Sequence, residues 1–271
     1  MTVCIDIGGS TSRLGFSNNK RKFDKIIRFT TFDNFQDQIN RIIFEIKSQS
    51  LDISKINIAA AGSLDKKKGI FIKWGQKKLW RGQNIFQPLF QAFPKASFLL
   101  ENDANVAALG EAVYGAGRNY SLVGYLTLSS GIGGCLIINK KITPHHFGIE
   151  PAHQIINFYE TKVWSCGQRG CFESYASGTA FKQIFGITAE ECDDKNIWKA
   201  YSKLVAVGLA NLIVLWSPEI MVIGGGVANK FEQFISPLKL ELKKLLPIFN
   251  TPLILKSKLN DAGLYGWFAF K

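Results

Sequence analysis

Apolar and polar positions recur with two different periods along the chain, and each change of period marks an element. Val3 to Ile7 is an apolar run that reads as a buried strand, Gly-Gly-Ser-Thr turns the chain, and Arg13 to Ser17 alternates as the returning partner. The chain therefore opens with a hairpin. From Phe32 to Ser48 the spacing becomes helical, with Phe35, Ile39, Ile42, Ile43 and Ile46 on one stripe. Ile56 to Ala61 predicts a second buried strand closed by Gly62, and Ser97 to Leu100 a third. Between them, Ser63 to Gln83 is rich in Lys and Gly, carries Trp74 and Trp80, and predicts an ordered loop.

After a glycine-rich hinge at Gly115 to Gly117 the pattern restarts. Strands at Leu122 to Leu128 and Cys135 to Ile138 are joined by SSGIGG, and Trp198 to Trp216 is a long apolar helix. Ile220 to Ile223 is a short strand stopped by Gly224 to Gly226, and Asp261 to Phe270 predicts a terminal helix. A glycine-containing strand-turn-strand near the start of each half predicts a duplicated architecture of two similar α/β lobes facing a cleft. The expected boundaries are residues 1–115, with 260–271 packing back onto them, and residues 116–259.

The third strand ends in LLENDANVAALG, residues 99–110. An apolar strand runs into carboxylate and amide groups and then directly into an Ala-rich helical pattern. A strand end holds side chains rigidly, and a helix start supplies N–H groups and a positive dipole end around Asp103. The same NDAN segment also reads as an ordinary helix cap.

Three glycine turns follow strands and suit phosphate. Asp6-Ile-Gly8-Gly9-Ser10-Thr11 places a carboxylate at a strand end, two residues without Cβ, then two hydroxyls. Backbone N–H groups there can approach phosphate oxygens, and Asp6 can hold Mg²⁺ through water. Ser129-Ser130-Gly131-Ile-Gly133-Gly134 repeats this chemistry, and Gly225 and Gly226 offer a flat backbone surface for an adenine. No GxxxxGK[ST] loop is present, so a nucleotide would be held by N–H groups, hydroxyls and metal.

Composition narrows the function classes. At 271 residues and 46% apolar content the chain can bury a real core. No run approaches about 18 uninterrupted apolar residues and no basic-then-apolar leader opens the sequence, so a soluble cytoplasmic protein with no membrane partner is expected. Five cysteines (Cys4, Cys135, Cys166, Cys171 and Cys192), an odd number and mostly scattered, fit a reducing compartment. The net charge of +12 is dispersed, with short clusters at Lys20 to Lys25, Lys66 to Lys68 and Lys77 to Arg81. Without an aromatic-interleaved basic helix, a helix-turn-helix before Val3 or zinc-finger spacing, nucleic acid is not an expected partner. A basic surface favouring small anionic substrates accounts for the charge.

Taken in order, DIGGST, ENDAN, SSGIGG, IEPAH, SCGQRGCFESYASG, IGGGV and NDAGLYG resemble the motifs of the ROK group of bacterial sugar kinases, glucokinases and sugar-responsive repressors. The resemblance runs nearly end to end. It implies an α/β fold of two actin-like (ribonuclease H-like) lobes around a nucleotide and sugar cleft, with ATP and Mg²⁺ as cofactors. Asp103 resembles the general base that takes a proton from a sugar hydroxyl as it attacks the γ-phosphate. Asn102, Glu150, His153 and Glu173 resemble the sugar ligands, with Gly62 beside them. The implied substrate is a hexose or N-acetylhexosamine, glucose slightly favoured and N-acetylmannosamine second, and relatives imply a homodimer.

The chain departs from the family at its zinc motif. His153, Cys166 and Cys171 match three ligands, but Trp164 occupies the position of a fourth, and indole cannot ligate zinc. Either His145 or His146 supplies the missing donor, or two reduced thiols sit beside a packed Trp164; the second alternative is preferred. Ser129 and Ser130 replace a usual Gly and Thr, Pro151 and Ala152 stand where Ile or Val and Gly are usual, and the chain is short around Ile142 to Phe147. A non-catalytic sugar-binding regulator is the alternative of another class, and retention of Asp103 and the phosphate turns argues against it.

Overall fold

The computed structural model describes the chain apart from residues 20, 50, 75, 76, 147 and 271. Lys20 of the first basic cluster, two residues of the Trp-containing stretch, Phe147 and the last residue of the terminal segment thus lie outside the described residues. The chain divides into two compact units, Met1–Gly110 with Asp261–Lys271, and Glu111–Asn260.

In the first unit, β1 (Thr2–Ile7) pairs antiparallel with β2 (Thr11–Ser17), which pairs antiparallel with β3 (Lys25–Thr30). Helix α1 (Phe35–Lys47) follows, started by Asn34, whose side chain accepts from the Asp37 amide. Its predicted stripe buries Phe35, Ile39, Ile42 and Ile46, each removal from water contributing about 2 kcal/mol. Strand β4 (Lys55–Ala60) lies parallel to β1, and β7 (Ser97–Asn102) parallel to β4. The sheet order is β3-β2-β1-β4-β7.

The stretch from Ser63 to Gln83 is more than a loop. β5 (Ser63–Asp65) and β6 (Ile70–Lys73) form a hairpin, followed by a 3-10 turn at Lys78–Trp80 and helix α2 (Phe86–Ala92). Phe71, Trp74 and Trp80 pack on one another and on Phe35, and Trp80 Nε1 donates to the Asp33 carbonyl at 2.9 Å. These aromatics anchor a polar hairpin whose own strands are too short to show periodicity.

Helix α3 (Asp103–Val113) leaves β7 without a connecting residue. The second unit then repeats the topology of the first. β8 (Leu122–Leu128) pairs antiparallel with β9 (Ile132–Ile138), and β10 (Lys141–Ile142) extends the sheet antiparallel to β9. Short α4 (Glu173–Ala176), α5 (Gly178–Phe185) and the long α6 (Lys195–Trp216) come next. Strand β11 (Ile220–Gly224) lies parallel to β8, α7 (Phe231–Leu245) packs on α6, and β12 (Leu253–Lys256) completes the order β10-β9-β8-β11-β12. Two sheets with the same arrangement of an antiparallel hairpin edge and parallel centre are the duplicated α/β, actin-like architecture that the sequence predicts. Helix α6 is apolar enough by length and composition to cross a membrane, but its Trp198, Tyr201, Val205 and Leu209 are fully buried in the core of the second unit.

The terminal helix α8 (Ala262–Ala269) belongs to the first unit, where Leu264 and Trp267 cluster with Cys4, Ala59 and Val106. Its approach to α3 is close, because Gly110 faces the Ala262 carbonyl and Gly266 faces that of Val106.

Gly115 to Gly117 lie inside the second unit. The first unit ends at Gly110, ahead of these glycines, because Glu111, fully buried, binds within the second unit. Its carboxylate accepts from the amides of Ala116, Lys258 and Leu259 and from the Ser257 hydroxyl at 2.7 to 3.1 Å. A Cβ on Gly115 would collide with that carboxylate, so glycine is there for space. Lys140 adds a second tie, donating to the carbonyls of Ala112, Gly117, Arg118 and Tyr120 at 2.7 to 3.2 Å.

Candidate active site

In the first unit the β7–α3 junction carries Asn102 and Asp103 on rigid elements. Asn102 Oδ1 accepts from the amides of Ala104 (2.9 Å) and Asn105 (3.3 Å), so Asn102 caps the helix. Its Nδ2 donates to the Gly62 carbonyl at 3.4 Å. Asp103, half-buried, accepts from the Ala104 amide at 2.8 Å. Gly62 ends β4 with φ +93°, a left-handed conformation that favours glycine, and its carbonyl meets Asn102 for that reason.

Beneath this junction lies a group that pattern reading passes over. Glu101, 5% exposed, accepts from the Asn102 amide (2.8 Å) and Asn105 Nδ2 (3.0 Å), and both its oxygens are within 3.0 Å of Lys66 Nζ. The β5–β6 turn delivers Lys66. A buried carboxylate needs a partner of this kind, and a single Glu inside an apolar strand is the signal that could have found it.

The Gly8–Thr11 turn is fastened from behind. Gly8 donates to the Thr11 carbonyl at 3.1 Å, while Thr31 donates its hydroxyl to the Gly8 carbonyl at 2.8 Å and its amide to the Ser10 carbonyl at 3.0 Å. The Ser10 side chain faces solvent. With its carbonyls so engaged, the turn can turn its amides toward an anion. Asp6 stands one residue inside β1, 7% exposed, and its Oδ2 accepts from Arg13 Nη1 at 2.9 Å. Arg13 also reaches Asp261, which Arg28 pairs at 2.6 Å. Burial pushes the Asp6 carboxyl above its ordinary range, Arg13 opposes that shift, and Asp261 adds to it. A cation serves Asp6 here, and a hydrated Mg²⁺ would compete with Arg13 for it.

In the second unit the other two glycine turns come together. Ser129 donates to the Gly131 carbonyl at 2.9 Å; the Ser129 carbonyl accepts from Gly178 at 2.6 Å and that of Ser130 from the Thr179 hydroxyl at 2.7 Å. Thus the N-terminus of α5, capped by Ser177, backs the Ser129–Gly131 turn. Gly225, with φ +90°, packs against the Leu128 carbonyl, and Gly226 lies beside the Ser129 hydroxyl. Gly133 and Gly134 differ from expectation, since β9 begins at Ile132 and takes both into the sheet. Gly178 and Thr179 are additions that only the tertiary structure reveals.

The acid and imidazole groups of the second unit also converge. Glu150 precedes a 3-10 turn at Pro151–His153, and its carbonyl accepts from the His153 amide at 3.1 Å. Burial raises the Glu150 carboxyl above its ordinary value, the charge of His153 lowers it and that of Glu173 raises it further. Glu173 opens α4; its Oε2 accepts from the Ile132 amide at 3.2 Å and its Oε1 from Trp164 Nε1 at 3.1 Å. A pair of carboxylates and an imidazole supply the mix of acceptors and donors by which a polyol is recognised.

Ligand atoms of His153, Cys166 and Cys171 lie within 4.8 Å of one another, the two sulfurs 3.8 Å apart. Among the described residues neither His145 nor His146 joins this group, so the less preferred alternative, a fourth donor from one of them, gains no support. Three donors alone do not make the closed four-coordinate shell of structural zinc. Neither sulfur is in a disulfide, and burial pushes the Cys171 thiol up to about 11.

Comparison with known proteins decides the family. A profile of the ROK family matches residues 2–271. The chain belongs to the ROK family. It is similar to a glucokinase of Thermotoga maritima (28% identical, covering 97% of this chain and 95% of that one) and to an N-acetyl-D-glucosamine kinase of Mannheimia succiniciproducens (26% identical, 97% and 96%). Among solved structures, a ROK family glucokinase from Streptomyces griseus in complex with glucose and AMPPNP superposes with a TM-score of 0.85 at 25% identity, covering 98% of this chain and 97% of that one. The ROK fold accounts for the repeated sheet order of the two units.

Proposed function

We propose that the protein is an ATP-dependent hexose kinase. The observation that carries this reading is the β7–α3 junction, where Glu101, Lys66 and the Ala104 amide fix Asn102 and Asp103 at the start of α3. Asp103 accepts the proton of a sugar hydroxyl as that oxygen attacks the γ-phosphate, a role that demands a carboxylate within hydrogen-bond reach on a rigid element. Asn102, Glu150, His153 and Glu173 bind the remaining hydroxyls. The turns at Gly8–Thr11, Ser129–Gly131 and Gly225–Gly226 bind the nucleotide, and Mg²⁺ offsets charge on the phosphates, reaching Asp6 only where Arg13 yields. The three-donor group at His153 does not form a closed zinc site, and no step depends on it. Five cysteines outside any disulfide suit a cytoplasmic enzyme, and the homodimer expected of the family is tested by light scattering.

Glucose is the favoured acceptor, with N-acetylmannosamine and N-acetylglucosamine as alternatives, the latter supported by similarity to an N-acetyl-D-glucosamine kinase. The test is ADP release with ATP and Mg²⁺ across hexoses and N-acetylhexosamines. Turnover on at least one sugar is expected; sugar binding without turnover on any would identify a regulator instead.

A further inference from the structure

Trp164 occupies a position from which it cannot ligate a metal, and its side chain is nevertheless engaged. The indole Nε1–H donates to Glu173 Oε1 at 3.1 Å, while the Ile132 amide donates to Oε2 at 3.2 Å. A carboxylate held by one donor on each oxygen cannot rotate about its terminal bond without losing one of them. About four lone-pair directions serve an ionised carboxylate, so the grip leaves acceptor capacity for a ligand hydroxyl in a fixed direction.

The segment that presents the indole is itself constrained. The Trp164 amide donates to the Gln168 carbonyl at 2.8 Å, its carbonyl accepts from Gly167 at 2.9 Å, and Val163 bridges to Arg169. Gln168 Nε2 ties this turn to the His153 carbonyl at 3.4 Å. Ile132 begins β9, in the sheet, so the two donors on Glu173 come from two separately anchored elements.

From this geometry we infer that Trp164 is a positioning residue, whose N–H sets the plane of the Glu173 carboxylate for one hydroxyl of the sugar. The inference rests on Glu173 being a sugar ligand, as proposed above. A neutral N–H performs this task without a bound ion. Replacing the indole removes one hydrogen bond to a charged acceptor, a loss of about 1.4 kcal/mol, or tenfold.

The test compares the wild-type protein with Trp164→Phe and with 3-benzothienylalanine at position 164, which keeps the bicyclic shape and deletes only the donor. Both are expected to raise KM for the sugar about tenfold, to leave kcat and KM for ATP within about twofold, and to lower the thermal midpoint by no more than about 2–6 °C. In a Glu173→Gln background the same replacements add less than twofold, and a deoxy-sugar lacking the hydroxyl that Glu173 meets shows no Trp164 effect. Unchanged sugar KM in the benzothienyl variant overturns the inference, and so does an equal loss for every deoxy-sugar, which would mark a merely structural role. If the wild-type protein turns over no sugar, the kinase reading fails separately, and the same ratios read by calorimetric sugar binding still test Trp164.

Discussion

Replacing Glu111 by Gln changes one atom of a fully buried side chain and tests how the second unit holds residues 111–120. The carboxylate accepts at Oε1 from Ser257 Oγ, Lys258 and Leu259, and at Oε2 from Ala116 and Lys258. An amide has one acceptor oxygen. Placed at the Oε1 position, it keeps Ser257 and Leu259 but turns its NH₂ group toward the Ala116 amide, so two donors face each other. Each unsatisfied buried donor costs about 1–3 kcal/mol, and the retained bonds fall to roughly half strength without the charge. Neutralising a buried group returns several kcal/mol of desolvation. The balance is a loss of about 2–4 kcal/mol, or a fall of roughly 5–12 °C in Tm. Urea unfolding followed by circular dichroism measures it, with an unchanged slope showing that stability alone has changed. A Gln variant within about 0.5 kcal/mol of wild type would refute the reasoning, since it would mean that desolvation cancels the whole hub.

Other consequences are as specific. Gly266→Ala pushes a methyl group into the Val106 carbonyl across the α3–α8 contact; backbone cannot rotate away, so a loss of at least about 3 kcal/mol is expected by chemical unfolding, and a loss below 1 would show that the helices slide apart freely. Because burial raises the Glu150 carboxyl above 4.5, its protonated form is favoured by folding, so this contribution to stability is complete below the unfolded pKa and is lost as pH rises through the folded one. Glu150→Gln is therefore expected to gain about 0.5–1 kcal/mol at pH 7 while weakening sugar binding. In the wild-type protein sugar KM rises as pH falls toward that raised pKa; a pH-independent KM over the whole acid range in which the protein stays folded, or a less stable Gln variant, would contradict it.

The fold was legible wherever burial imposes a period. The α1 stripe follows from one-sided burial, the opening strand and the restart at Leu122 from nearly continuous apolar runs buried on both faces, and the glycine punctuation marks the strand ends. The β5–β6 hairpin escaped because its strands are short and its stability comes from Trp74 packing on Trp80 and Trp80 on Phe35, the latter a long-range contact. Gly115 reads as a hinge because glycine signals flexibility and close packing alike, and its close approach to the Glu111 carboxylate appears only in the fold.

The site divides in the same way. Asn102 and Asp103 were visible because they sit at a junction of two periods, and Glu150, His153 and Glu173 only through resemblance to the ROK motifs. Glu101 with Lys66, Thr31 behind the first glycine turn, and Thr179 behind the second were out of reach, since each acts on a partner at least 23 residues away. Trp164 was noticed for the ligand it fails to be. Its hydrogen bond to Glu173 depends on how the intervening turn folds.

The central claim is that the Asp103 carboxylate takes the proton of a sugar hydroxyl. ADP release by Asp103→Asn, measured beside wild type on the best sugar of the panel with calorimetric sugar affinity in parallel, tests it most directly. The account predicts a fall in kcat of about 10²–10⁴ with sugar Kd within about threefold. Turnover above a tenth of wild type, with sugar binding intact, would contradict it.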